Sequence, residues 1–466
     1  MPEQTTMIEQ YRRIKERYKD AILFFRLGDF YEMFNEDALE ASTLLDLTLT
    51  RRQNQPMCGI PYHAAKSYIA RLLKSGRKVA ICEQTAIPGR RGLMDREVVE
   101  VITPGTAIED DFLEHGANNY LMSVCVLEGR CCIAYMDVST GEFRAHASDE
   151  KENASEWLRS ELFRIAPREI LVQQSLLEQP AIGQAVRESA AVVQAHPDWM
   201  FDIAHAADIL QRHFGVASLR GFGFDRNDPE IAAAGVLLEY AEDMLRQPCI
   251  HIRSLVRHDD GAYVSLDEAT RKNLELVRNL TDATRRDTLL SVLDLTRTAG
   301  GARLMRRWML QPLRKKVAIE ARLEGVSFFY HHQLEMAETR KLLGSVLDME
   351  RLLSRLAMNK AHAKDLKALG NSLEAALSLF AYLKECNAVG SGIRILSDDL
   401  REEIASVAAL LARAILDEPS ILLNEGNMIR DGYNPELDRL RALHQDTQGV
   451  LERYLEEEKH NTGIQN

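Results

Sequence analysis

The chain has 466 residues, 45% of them hydrophobic and 27% charged, with a net charge of −12. At roughly 150 residues per domain, that length predicts about three domains, each able to bury its own core. The composition is that of an ordinary soluble protein, no apolar run approaches the roughly 20 residues that cross a bilayer, and the acidic total excludes a chain coated uniformly for nucleic acid.

Residues 7–18 predict a short amphipathic helix, with Ile8, Tyr11 and Ile14 on one side. A strand is expected at 21–27, then Gly28-Asp29 as punctuation and an extended run from Phe30 to Phe34. Alternate residues of a strand share a face, so Phe30 and Glu32 point the same way. An apolar wedge beside one hydrogen-bonding acid is a means of probing a base step in DNA. The same spacing also describes a rim aromatic beside a solvated acid. Next come a helix at 36–46, a strand at Leu47–Thr50 and a polar basic loop at Arg51–Pro56. A helix over 64–75 closes at Gly76, and 79–82 and 98–102 read as buried strands. This compact α/β unit ends near residue 115. Between residues 51 and 96 stand ten basic residues and two acids, Glu83 and Asp95, a local excess of +8. Phosphate contact needs local charge of that sign, and a solvated basic face has the same composition.

A second unit begins at Asn118. Strand-like runs at 120–127, 131–138 and 141–147, split by short turns, predict a hairpin meander, followed by a helix at 152–165 and a strand at 169–173. From about 229 onward long helical patterns dominate, among them Leu400, Ile404, Val407, Leu411 and Ile415. Asn434-Pro435 is a good start for a helix running toward 460.

Seven cysteines without a Cys-x-x-Cys argue against a disulfide framework or a zinc ribbon. Together with an N-terminus unlike a signal peptide, they lead us to expect a reducing, cytoplasmic setting. The sequence has no P-loop, His-Glu-x-x-His or Gly-x-Ser-x-Gly motif. Asp137 ends a strand before Ser139-Thr140-Gly141, and an acid there could bind metal in a ribonuclease-H-like nuclease. The alternative is an acid and a serine bonding their own turn. Six basic residues surround Trp308 (Arg303, Arg306, Arg307, Arg314, Lys315 and Lys316), and the helical spacing predicts Leu304, Trp308 and Leu313 packed inward with the arginines toward water or acids.

A set of ordered motifs runs through the chain. They include Phe24-Phe25-Arg26-Leu27-Gly28-Asp29-Phe30-Tyr31-Glu32-Met33-Phe34, Leu45–Arg52, Gly59-Ile60-Pro61-Tyr62-His63-Ala64, Ala80–Gln84, Ile102–Thr106, Gly300–Leu313 and Gly432–Leu437. In these the chain resembles the MutS family of bacterial DNA mismatch-recognition proteins. The resemblance implies a multidomain α/β plus α fold. Its parts would be a mixed α/β mismatch-binding domain at 1–115, a ribonuclease-H-like connector at 116–245 and an all-helical core and lever domain at 246–466, the last running into the start of a truncated clamp. It maps the family's Phe-x-Glu motif onto Phe30 and Glu32, with Arg52, Met57, Lys66 and Arg96 as lesser contacts to the DNA backbone. The implied role is recognition of mismatched or unpaired bases in duplex DNA, including small loops, with no catalysis in this chain. The family's ATPase, its ATP and Mg, and its main homodimer contact are expected in a C-terminal part beyond Asn466. The connector would meet a downstream repair factor of the MutL type. A junction-binding relative is the remaining alternative, and the presence of Phe30 and Glu32 counts against it.

Overall fold

The computed structural model describes residues 7–52, 54–85, 95–149, 153–386, 388, 393, 396–421, 423–445 and 447–463. They form two compact units. The first holds the chain as far as His331 together with Asp348–Lys360, and the second holds His332–Leu347 and the chain from Ala361 onward.

The first unit begins with helix α1 (Met7–Lys15) and a six-stranded sheet. Its strands are β1 (Ala21–Leu27), β2 (Phe30–Phe34), β3 (Thr50–Arg52), β4 (Gln55–Pro61), β5 (Lys78–Thr85) and β6 (Asp95–Ile102), in the order β3-β4-β2-β1-β5-β6. The first five residues of β1 are buried apolar side chains, so this strand is central, antiparallel to β2 and parallel to β5. Helices α2 (Asn35–Leu45) and α3 (Ala65–Lys74) cover the face carrying Phe24, Tyr31, Met33, Cys58 and Ile60. Helix α1 covers part of the opposite face, over Phe25, Phe34, Cys82 and Val101. Tyr11 locks α1 down, its hydroxyl donating to Asp37 at 2.7 Å.

Two expectations fail here. The strand predicted at Leu47–Thr50 forms one turn later, as the exposed edge β3. Strand β4 was not expected: it starts at the end of the predicted loop at Arg51–Pro56 and runs up to the following helix. Pro56, Gly59 and Pro61 punctuate its sequence, yet Cys58 and Ile60 alternate inward while Met57, Gly59 and Pro61 share the other face.

A second sheet follows, with β7 (Leu121–Leu127), β8 (Arg130–Asp137) and β9 (Glu142–Ala147) as the predicted antiparallel meander. Strand β10 (Glu169–Gln173) lies parallel to β7, β11 (Val192–His196) lies parallel to β10, and the short β12 (Val256–Arg257) joins β9. Helices α4 (Ala154–Ile165) and α5 (Pro180–Arg187) pack on one face. The other face takes α6 (Ile203–Phe214) and α7 (Glu230–Leu245). These two helices touch backbone to backbone. A Cβ on Gly235 would sit 2.4 Å from Ala206 Cβ, so only glycine fits.

The rest of the first unit is helical: α8 (Glu268–Asn273), α9 (Leu289–Leu293), α10 (Ala299–Leu310) and α11 (Lys316–His331), with α13 (Met349–Ala357) returning to it. Helix α10 meets acids through its arginines, as expected, but buries a different apolar side from the one read. Leu304 and Trp308 are exposed, and Arg322 lies 3.8 Å over the Trp308 ring. Arg303 is buried, donating to both carboxylate oxygens of Asp348 at 2.7 Å, and Arg307 donates to Glu142 at 2.7 Å. Leu310, with Met305 and Met309, packs on Leu276, Val277 and Leu290, while carboxylates receive Arg303 and Arg307 on another side of the helix.

The second unit contains α12 (Gln333–Leu343), α14 (Ala363–Glu385), α15 (Asp398–Ala414), α16 (Pro435–Gln445) and α17 (Thr447–Thr462). The long α14 packs against α12 and α15. Of the apolar stripe read here, Ile415 is buried, Ile404 and Leu411 on α15 are half-buried, and Leu400 and Val407 stand exposed. No helix among the described residues is long and apolar enough to cross a membrane.

Candidate nucleic-acid interface

Strands β1 and β2 form a tight hairpin in which Leu27 faces Phe30 across Gly28-Asp29. Gly28 has φ +57, a conformation that side chains disfavour. Tyr62 closes the hairpin end, its N–H donating to Asp29 O at 2.9 Å. Along β2 the side chains alternate. Tyr31 and Met33 enter the core under α2 and α3, while Phe30, Glu32 and Phe34 face the opposite way. Helix α1 covers Phe34 but does not extend over Phe30, whose ring is 49% exposed.

The register puts further residues on this face. Glu32 lies opposite Gly59 and Phe34 opposite Met57, and Thr50 pairs with Met57 and Arg52 with Gln55 on the next strand. Gly59 carries no side chain to stand beside Glu32, and Arg52 reaches across it. Arg52 Nη1 donates to both Glu32 oxygens, at 2.8 and 2.7 Å. The Arg52 side chain is 44% exposed and that of Glu32 13%. An ion pair this open contributes about 1 kcal/mol at most, so it is easily exchanged.

Phe30, Glu32, Arg52, Met57 and Arg96 all belong to one sheet face. Arg96 nonetheless differs from the expectation. It is buried, its Nε donates to Arg26 O at 2.9 Å and its guanidinium lies 4.9 Å from the Phe25 ring. Burial lowers its pKa. In this conformation it braces β6 against β1 and offers nothing to a phosphate. Lys66 is on α3, over the other face, and pairs with Glu109 at 2.8 Å.

The basic stretch is likewise partly internal. Arg71 donates to Leu45 O at the end of α2 at 2.9 Å, Arg77 pairs with Glu40 at 2.6 Å and the buried Lys78 with Asp20 at 2.5 Å. Arg51 and Lys74 are exposed, and Arg90 and Arg91 lie outside the described residues. The excess of +8 therefore does not make one continuous surface.

Sequence reasoning missed two neighbours of Phe30 because it missed β4. Pro61 pairs with Phe30, and Tyr62 stacks on the Arg26 guanidinium at 3.8 Å. Behind them the Tyr31 hydroxyl donates to Glu83, and burial together with that carboxylate raises the tyrosine pKa. The hairpin is thus rigid below and open above.

Asp137 is fully buried at the end of β8. Its Oδ1 accepts from the Ser139 backbone at 3.0 Å and hydroxyl at 2.6 Å; its Oδ2 accepts from Asn118 Nδ2 at 2.9 Å and Asn119 N at 3.1 Å. Four donors leave this carboxylate no free lone pair aimed at a metal. Among the described residues no group of three or more histidine, cysteine or acidic side chains is placed to hold a metal ion. The geometry at Asp137 is the turn-bonding alternative.

Three family profiles match in chain order: MutS domain I over residues 5–111, MutS domain II over 119–253 and MutS domain III over 269–462. A DNA mismatch repair protein MutS of Treponema denticola is 43% identical over 99% of this chain and 53% of its own length. Its counterpart in Treponema pallidum (strain Nichols) is 39% identical over 99% of this chain and 51% of its own length. That of Symbiobacterium thermophilum is 40% identical over 99% and 53%. The chain spans about half the length of the curated relatives it matches. With all three domains present in order, the chain belongs to the MutS family.

Proposed function

We propose that this chain recognises mismatched or unpaired bases in duplex DNA, with Phe30 as the wedge and Glu32 as the hydrogen-bonding acid. One observation carries the proposal: Phe30 stands half exposed at the tip of a braced hairpin, on the same face as Glu32. A stiff strand can deliver a ring into a base step without losing its own order. Mispaired steps are poorly stacked and bend readily, so insertion costs less there than in paired DNA. Discrimination then comes from deformability, and one carboxylate serves varied mispairs. Arg52, paired with Glu32, and Met57, opposite Phe34, lie farther along the same face and are the remaining candidates for backbone contact.

The connector at 116–245 is proposed to be ribonuclease-H-like. The order β9-β8-β7-β10-β11, with an antiparallel meander extended by two parallel strands, supports this assignment. The helices from 246 onward would form the core and levers. ATP hydrolysis with Mg, the homodimer contact and binding of a MutL-type partner through the connector are proposed for the full-length protein, with no catalysis in the 466 residues themselves.

The test is competition binding of matched and singly mismatched duplexes to the full-length natural chain and its Phe30→Ala variant. The wild type should prefer the mismatch at least tenfold, and the variant should lose most of that preference, since stacking one base on an aromatic is worth about 1–3 kcal/mol. Equal preference in both proteins would sink the wedge assignment.

A further inference from the structure

Glu32 is not free to meet a base in this structure. Arg52 holds both of its oxygens across the side-chain-free position at Gly59. We propose that Arg52 is the specificity-setting partner of Glu32, and that mismatch recognition proceeds by ion exchange: Arg52 leaves the carboxylate for a backbone phosphate as Glu32 turns to the displaced base. This inference rests on the assignment of Phe30 and Glu32 as the DNA probe.

Three observations support the exchange. The pair is one-sided, because a single nitrogen, Arg52 Nη1, serves both carboxylate oxygens while the rest of the guanidinium is left to other acceptors. Arg52 sits on the short edge strand β3, where all three residues are exposed, so its side chain can swing outward without disturbing the core. Glu32 sits on β2, pinned by β1 on one side and β4 on the other, so its backbone cannot follow. The mobile partner is therefore the cation and the fixed partner is the acid.

The consequence is a link between base and backbone. On matched DNA there is no displaced base to accept the acid, and Arg52 stays paired with Glu32. A phosphate beside the pair then meets a neutralised group. On a mispair the carboxylate gains a base partner, Arg52 is released, and one more phosphate is neutralised. Arg52 thus adds affinity only where Glu32 has found its base.

Salt titration tests this directly, because each phosphate neutralised steepens the dependence of log K on log salt by about 0.9. Binding of matched and mismatched duplexes would be measured at several salt concentrations for the full-length wild type, Arg52→Gln, Glu32→Gln and Phe30→Ala. The exchange predicts a mismatch slope steeper than the matched slope by about 0.9 in the wild type. The difference should vanish in Arg52→Gln, which has no cation to release, and in Glu32→Gln, where Arg52 meets phosphate on both duplexes. Equal wild-type slopes, with Phe30→Ala still abolishing discrimination, would overturn the exchange while leaving the probe assignment intact. Discrimination untouched by Phe30→Ala would overturn the probe assignment itself.

Discussion

At the scale of single residues, two neighbours on the hairpin have different kinds of importance. Phe30 is exposed and contributes little to the fold, whereas Gly28 supplies the turn that aims it. With φ at +57, Gly28→Ala should cost about 1 kcal/mol and lower the urea midpoint of unfolding, with the hairpin loosened locally. An unchanged midpoint would mean that the turn relaxes freely. The spacing of Phe30 and Glu32 was legible in the sequence because a strand alternates with period two. The partnership of Glu32 with Arg52 was not. Twenty positions separate them, and the strand that brings them together, β4, carries two prolines and a glycine. Arg96 illustrates the converse. Its charge was plain in the sequence, but its burial against Phe25 depends on a sheet register that includes a bulge at Ile81/Cys82.

Among the elements, α10 shows where helical periodicity misleads. Leu304 and Trp308 repeat at the spacing of an inward stripe, yet Leu310, Met305 and Met309 make the apolar contacts while Arg303 and Arg307 reach Asp348 and Glu142. Burial alone would raise the Asp348 pKa; the Arg303 hydrogen bonds and charge overcome it, and the net shift is downward. A depressed folded pKa stabilises the protein above the unfolded value of roughly 4, and that contribution is lost as pH falls through the folded pKa. Arg303→Met should therefore cost about 2 kcal/mol at neutral pH, because the half-buried Asp348 loses two charge-assisted hydrogen bonds and keeps only Arg351, at 3.6 Å. The cost should shrink below about pH 4, as Asp348 becomes protonated. Urea unfolding followed by tryptophan fluorescence at both pH values checks this, because Trp157, Trp199 and Trp308 all lie in the same compact unit as the pair. A pH-independent cost would assign the loss to packing alone.

For the whole molecule, the change of texture near residue 229, from strands to helices, marks a real transition, yet the compact units do not break there. Helix α7 packs on the second sheet, and α8 to α11 with α13 stay in the unit that holds both sheets. Amphipathic patterns identify helices but not the surfaces they adopt, which is why the meander at 121–147 was readable and the grouping of the later helices was not. The proposed function depends on the half-exposed ring at the hairpin tip. Its most direct test places 2-aminopurine beside a mispair and follows its emission as the full-length protein is added. Insertion of Phe30 predicts a change in base stacking, and so in emission, on the mismatched duplex with the wild type, little change on the matched duplex, and loss of the response in Phe30→Ala at saturating protein. The same response from Phe30→Ala at saturation would contradict the account.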